Sequence, residues 1–415
     1  MILYKEFDNG LKLIVKKMNG LLSVSTGVFV KCGSANESAE ENGISHFIEH
    51  AMFKGTKTRT AYDISNEIDS IGAQINAYTS KEMTCYYTKS TTEHFGKSLE
   101  ILSDIFFNST FLDKELDKER QVILQEIAMT GDDPEELTLD LLSESYYGNC
   151  GYGAPILGSA KNVKRFNREE VVKYITKYYV PKNIVISIAG NVDLDTVETK
   201  VKESFVDKFT NFGAENNAII DTTPKRGNIL VNKDIEQAHI AIAMPSCGFS
   251  SSRVNSASIV STVFGGGMSS RLYQRIREQS GLAYSVFSFL STYQTAGTMC
   301  IYAGVHPDKR DYAFDAIVQE IRNIYENGLS EKEFESGREQ VKSSFIMSQE
   351  STATQMQLYG RYLLKNNVVF NFERKIADMN NLDVYDINRE VKRNFCLEDC
   401  AVVSVGRNKE KLEIK

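Results

Sequence analysis

Two histidines one helical turn apart, with a glutamate between them, are the residues of this chain best suited to chemistry. They lie in Gly43-Ile44-Ser45-His46-Phe47-Ile48-Glu49-His50-Ala51-Met52-Phe53-Lys54-Gly55-Thr56. The stretch runs between two glycines, contains no proline and offers Ser45 as a local cap, so it reads as a helix. His46 and His50 are then i and i+4 on one face, and both imidazoles can reach one divalent ion. Glu49, three residues after His46, stands beside that ion without having to bind it.

A catalytic zinc takes three protein ligands and keeps one position open. A second helix, from about Asp113 to Met129, carries Glu115, Glu119 and Glu126. Glu119 and Glu126 are two turns apart on one face, among Val122, Ile123 and Ile127. A carboxylate on an apolar helix face is costly unless a metal or partner neutralises it. The same spacing also suits an ordinary helix edge with both carboxylates in water, and it does not choose between the two.

These helices need a scaffold. Strands are expected at 11–16, after the turn Asn9-Gly10, and at 24–30. Thr60 caps a helix through Ile64, Ile68 and Ile71 that Gly72 stops. A strand pair is expected over 75–89, a helix with Phe95, Leu99, Leu102, Ile105 and Phe106 on its buried face follows, and Asp132-Asp133-Pro134 ends the Glu-bearing helix. A buried strand is expected at 184–190 after Pro181. The pattern then repeats. Cys85 and Cys300 sit in like strands 215 residues apart, Glu115 and Glu333 in like helices 218 apart, and Gly190 and Gly406 close like strands 216 apart. A near-constant offset implies duplication. The expected fold class is therefore α+β: two homologous halves, each a mostly antiparallel sheet with helices packed on one face. The halves are expected at 1–210 and 226–415, with 211–225 as linker. Adding the offset to His46 and His50 lands near Ser261 and Gly265, so only the first half can hold the metal.

Composition excludes several classes. With 42% hydrophobic and 25% charged residues among 415, the chain has ample core. A net charge of -7 argues against nucleic acid as a partner. No apolar run is long enough to span a membrane, and the N-terminus lacks the pattern of a signal peptide. Seven scattered cysteines suggest reduced thiols and a cytoplasmic location. Cys396 and Cys400 read as small buried residues. Gly265-Gly266-Gly267 is followed by no Gly-Lys-Ser/Thr, which rejects a nucleotide site. His94, His239 and His306 have no ligand-spaced partner.

The order His-x-x-Glu-His is the inverse of the commoner zinc-protease order. With Asn76-Ala77-Tyr78-Thr79, Glu119-Arg120-x-Val122-Ile123-x-x-Glu126-Ile127, Gly265-Gly266-Gly267-Met268-Ser269-Ser270-Arg271-Leu272 and Arg277-x-x-x-Gly281-Leu282-Ala283-Tyr284-Ser285, it resembles the inverzincin peptidases of the pitrilysin and insulysin type. The resemblance spans nearly the whole chain and is closest to the short branch that includes mitochondrial processing peptidase subunits and their bacterial relatives. It implies one zinc per chain on His46, His50 and Glu126, the last 76 residues beyond His50. It implies Glu49 as general base, Glu119 as a carboxylate steadying a ligand, and Arg277 and Tyr284 as donors to the developing oxyanion. Asn76, Ala77 and Tyr78, with Glu82 beside them, match the edge on which an extended substrate is laid.

The expected activity is a zinc metalloendopeptidase acting on unfolded or short polypeptides. Longer relatives carry four such halves, so a homodimer is expected here, with a heterodimer as the other possibility. Arg277 and Tyr284 would then face the zinc of the other chain. The rival class is a non-catalytic scaffold or a subunit that needs a partner chain. Motif integrity separates the two, and every core residue is present.

Overall fold

The backbone elements follow the expected order. The structure is a computed structural model and describes residues 1–216 and 220–414. Residues 217–219 of the expected linker lie outside the described residues. The first part of the chain forms β1 (Ile2–Glu6), β2 (Lys12–Lys17), β3 (Ser23–Val30), α1 (Ile44–Met52), α2 (Ala61–Ser70), β4 (Gln74–Thr79), β5 (Thr84–Thr91), α3 (Phe95–Asn108) and α4 (Asp113–Asp132). Then come α5 (Pro134–Tyr147), α6 (Ala160–Arg165), α7 (Arg168–Tyr178), β6 (Ile184–Gly190) and α8 (Leu194–Ser204). The remainder forms β7 (Asn228–Asn232), β8 (Ala238–Cys247), α9 (Val254–Gly265), β9 (Ala283–Thr292), β10 (Ala296–Val305), α10 (Arg310–Asn327) and α11 (Glu331–Ser348). It ends with α12 (Thr352–Asn366), α13 (Phe372–Asn380), α14 (Val384–Asn394) and β11 (Ala401–Gly406).

The first sheet has the order β1-β2-β6-β3-β5-β4 and the second β7-β11-β8-β10-β9. Removing β1 leaves the same order twice. In each sheet one pair is parallel, β2 with β6 and β7 with β11, and the other pairs are antiparallel. The two sheets are therefore copies of one plan, mostly antiparallel, in an α+β fold.

The chain divides into two units that are not contiguous halves. The first unit comprises Met1–Ile127, Pro155–Ile220 and Ser348–Phe370; the second comprises Ala128–Ala154, Asp221–Met347 and Asn371–Lys415. Each half of the sequence thus donates one helix to the other's sheet: α12 packs on β3 and β6, and α5 on β8 and β11. This departs from the expected division at 1–210 and 226–415. Periodicity shows that a helix has a buried face, but not which sheet covers it.

The donated helix explains why β3 is buried along almost its whole length. Val24, Val28 and Val30 point into the main core with α1, α3 and α7. Ser25, Gly27 and Phe29 point the other way, to α12. There the Ser25 hydroxyl lies 3.0 Å from that of Thr352. A Cβ on Gly27 would meet Met356 Sδ at 2.4 Å, and one on Gly360 would meet the Phe29 ring at 2.3 Å. Strand and helix approach closely because each offers a glycine to the other's large side chain. Most helices of this unit pack on one face of the sheet as expected, and α12 covers the other.

Candidate active site

α1 buries Ile44, Phe47, Ile48, Ala51 and Met52, an i, i+3, i+4, i+7, i+8 stripe, and so turns His46, Glu49 and His50 out of the core. Ser45 does not cap it. Gly43 is the N-cap residue, in the left-handed region at φ 100°, where a Cβ would also strike the Leu157 carbonyl at 2.7 Å. The capping carboxylate is that of the buried Glu37: Gly43 N donates to one oxygen at 2.7 Å and Ser45 N to the other at 2.8 Å. A negative charge at a helix N-terminus is favoured by its dipole. Burial nevertheless raises the Glu37 pKa, against those hydrogen bonds.

α4 brings the third carboxylate. Leu116, Glu119 and Ile123 are its buried residues, and Glu126 continues the same stripe with a 3-4-3 spacing. Glu126 Oε2 lies 3.8 Å from His46 Nε2 and 3.6 Å from His50 Nε2. The two imidazoles are 4.6 Å apart between ring centres. One ligand atom from each of the three residues falls within 4.8 Å of the others.

Glu119 is only 5% exposed. Its Oε2 accepts from His50 Nδ1 at 3.1 Å and its Oε1 from Lys54 Nζ at 2.8 Å. A proton held on Nδ1 leaves the His50 Nε2 lone pair facing Glu126, the arrangement a metal-binding histidine needs. Burial would raise the Glu119 pKa, but the His50 and Lys54 contacts outweigh it and lower it. Burial pushes His50 down, and the Glu119 hydrogen bond with the Glu126 and Glu49 charges reverses that to a net rise. His46 is pushed down to about 4, chiefly by burial and then by His50, so it is a neutral donor near pH 7. Thr79, the last residue of β4, donates from Oγ1 to Glu49 Oε2 at 2.5 Å. Burial raises the Glu49 pKa, opposed by Thr79 and His50.

The residues fit a zinc ion. Two neutral-capable imidazoles and a carboxylate form the usual N/O donor set of a catalytic site. In a tetrahedron with bonds of about 2.0–2.1 Å the edges are about 3.3 Å, a few tenths shorter than the two separations from Glu126 to the histidines. His46 Nδ1 is buried without a hydrogen-bond partner among the described residues, so this cluster is not a closed hydrogen-bond network.

Asn76, Ala77 and Tyr78 lie on β4, the edge of the first sheet. The Ala77 amide, which points off the ladder, donates to the Asn76 side chain at 2.8 Å. Tyr78 points to the opposite face and donates to Gln357 Oε1 of α12 at 2.5 Å. Glu82 is not on the free edge. It sits in the β4–β5 turn, nearly buried, paired with Lys365 at the end of α12. Arg277 lies in a π-helical run, Tyr273–Gln279, with its guanidinium 5.0 Å over the Tyr273 ring. Tyr284, the second residue of β9, is 61% exposed. Both belong to the second unit. Cys396 and Cys400 are half-buried, and all seven cysteines are free thiols.

Sequence reasoning missed Glu37, Lys54, Thr79 and Gln357. Only Lys54 left a legible trace, one helical turn beyond His50.

Residues 14–160 match the description "Insulinase (Peptidase family M16)", and residues 165–341 match "Peptidase M16 inactive domain". The chain is 36% identical over 402 residues to the uncharacterized zinc protease YmxG of Bacillus subtilis, covering 96% of this chain and 97% of that one. This chain belongs to the M16 peptidase family. It is also 38% identical over 357 residues to an uncharacterized zinc protease of Rickettsia felis, 86% of each chain. Among solved structures, a peptidase M16 inactive domain from Pseudomonas fluorescens shares the fold at a TM-score of 0.90 and 17% identity, covering 99% of this chain and 98% of that one. A protease from Helicobacter pylori does so at 0.89 and 22%, covering 98% and 99%. The M16 relatives along nearly the full length are named zinc proteases, which supports zinc as the metal. The His46–His50–Glu126 cluster falls wholly within the part matching the insulinase description. Among the described residues, no helix is long and apolar enough to cross a membrane.

Proposed function

We propose that this chain is a zinc metalloendopeptidase that hydrolyses peptide bonds in unfolded or short polypeptides. The observation that carries the reading is the convergence of His46, His50 and Glu126 from two helices, with Glu119 holding His50 in the ligating tautomer. A zinc ion on these three residues would supply a Lewis acid for the peptide carbonyl and would acidify water. Glu49 is the general base. Thr79 holds one of its oxygens, the other is left to accept the proton, and burial raises its affinity for that proton. Glu119 positions His50 and does not touch substrate.

The extended substrate adds to the free edge of β4, where the Ala77 amide exchanges the Asn76 side chain for a substrate carbonyl. Such pairing is tolerant of sequence and demands an unfolded segment. Tyr78 anchors the strand to α12 rather than reading the substrate. Glu82 does the same through Lys365. Arg277 and Tyr284 donate to the developing oxyanion from the second unit of the other chain in a homodimer. Seven free thiols suit a reducing cytoplasm.

The test is cleavage of a long unstructured peptide by the purified protein, metal-stripped and then given zinc. Activity should vanish with the metal, return with zinc and fall by about 10²–10⁴ in Glu49→Gln. Bound zinc without cleavage of any unstructured peptide overturns the self-sufficient enzyme. For the dimer, Glu49→Gln and Arg277→Ala chains are mixed. Sites shared between chains predict recovery to about a quarter of wild-type activity, since about half the dimers are mixed and one site in each is intact. No recovery places Arg277 within its own chain.

A further inference from the structure

The second unit carries a groove whose counterpart in the first unit is filled by a stretch of chain. The strand ladders give the correspondence. Phe29 of β3 faces Cys85 and Val185, and Ala243 of β8 faces Cys300 and Ala401. Counting along the strands pairs Lys31 with Pro245, Cys32 with Ser246 and Asn183 with Asp399. In the first unit this corner holds Glu215 and Asn216. The Asn216 amide donates to Asn183 Oδ1 at 2.6 Å, and its Nδ2 donates to the Lys31 carbonyl at 2.8 Å. Glu215 pairs with Lys31 Nζ at 2.8 Å.

At the matching corner of the second unit lies a cavity of about 610 Å³ lined by Pro245, Ser246, Arg253, Asn394 and Asp399, with Lys392 and Arg393 at its margin. Asn394 is fully buried, yet neither its Oδ1 nor its Nδ2 has a hydrogen-bond partner among the described residues, and neither has Ser246 Oγ. A buried amide with both ends open calls for a ligand to complete it. The cations converge from two helices. Lys392 and Arg393 close the last turn of α14, where the dipole alone favours them, but Arg253 arrives from the start of α9. Two carboxylates oppose them: Glu390, 3.2 Å from Arg253 and 3.7 Å from Arg393, and Asp399, paired with Arg226. Three cations line the groove against Asp399 alone, with Glu390 paired to Arg253 and Arg393. The Lys392 ammonium also donates to the Tyr325 carbonyl and lies 4.2 Å from that ring's centre, and the groove is net basic.

We propose that this groove docks an extended acidic segment of a partner polypeptide, as the corner of the first unit holds Glu215-Asn216. The Asp399 carboxylate takes the place of Asn183 Oδ1 as acceptor for a backbone N–H of the guest. The Pro245 carbonyl takes the place of that of Lys31, and the guest's acidic side chains meet Lys392 and Arg393. This is a binding site distinct from the zinc cluster and does not depend on peptidase activity.

The experiment uses full-length Glu49→Gln protein, stripped of metal, and fluorescent eight-residue peptides of alternating Glu and Asn or of alternating Lys and Asn. Polarisation should show saturable binding of the acidic peptide, weakened by salt, and at least about tenfold weaker binding of the basic one. Lys392→Glu with Arg393→Glu should weaken the acidic peptide at least about tenfold, and Lys392→Glu alone should weaken it at an unchanged unfolding midpoint. If that pair fails to fold, the exposed Lys392→Glu alone carries the test, and Asn394→Leu should lower affinity without changing the charge. The proposal is overturned by no saturable binding up to about 1 mM, by equal binding of both peptides, or by binding that charge reversal leaves unchanged. Self-association lost on Lys392→Glu would make the guest a second copy and would also overturn it.

Discussion

The same pair of helices is built twice in this molecule and is put to opposite uses. In the first unit α1 and α4 enclose His46, His50, Glu119 and Glu126, and charged and polar groups fill the space between them. In the second unit α9 and α11 occupy the equivalent positions, and the offset that carries Asp113 to Glu331 carries Glu119 to Gly337. A Cβ on Gly337 would meet Val263 Cγ2 at 2.4 Å and Ile259 Cγ2 at 3.3 Å. One helix pair is therefore held apart around the His46–His50–Glu126 cluster, which could hold a metal ion, and the other is closed by dry contact. Buried charge costs stability unless it is paired. The second corner carries Gly337 where the first carries Glu119, and it packs instead.

The largest effects should follow from breaking the charged corner. Glu126→Gln should abolish stoichiometric zinc, read by metal analysis, and peptidase activity with it. Glu49→Gln should keep its zinc and lose about 10²–10⁴ in kcat, the usual worth of a general base. If both variants lost metal equally, Glu49 would be a ligand rather than the base. Glu119→Gln should cost about 10- to 100-fold in zinc affinity or activity, because His50 loses the carboxylate that fixes its tautomer. A wild-type zinc affinity in that variant would leave Glu119 without the assigned role.

The closed corner should answer in stability instead. Gly337→Ala should cost about 1–3 kcal/mol by overpacking against Val263, seen as a lower denaturant midpoint at an unchanged slope. A neutral result would mean that the two helices are free to part.

The smallest effect sharpens the same contrast at the helix starts. Glu115 pairs with Lys118 of its own helix, whereas Glu333 pairs with Arg271 of another element and also accepts from Ser330. Burial raises the Glu333 pKa, but these partners outweigh it and hold it at about 2. A carboxyl whose pKa is lower in the folded state stabilises above its unfolded value, about 4.3, and loses that contribution as pH falls toward 2. Glu333→Gln should therefore cost under about 1 kcal/mol at pH 7, since the group is about a third exposed, and nothing below pH 2. A gap between variant and wild type that stayed constant from pH 7 to pH 3 would assign the effect to packing.

Much of this was legible because it is periodic. Helical spacing places His46 and His50 on one face, and Glu119 and Glu126 on another, whatever surrounds them. A near-constant offset reveals the duplication, since homologous elements keep their order. The sequence leaves open whether Glu126 faces water or the histidines, because that depends on the angle at which α4 meets α1. Only the tertiary structure brings Glu126 within 3.8 Å of both rings. It also decides the exchange of α5 and α12, the Glu37 cap, the Thr79 contact to Glu49 and the pairing of Glu82 with Lys365. Each of these joins residues distant in the chain. Local patterning records which face of an element must be buried, but the partner that buries it is chosen by packing.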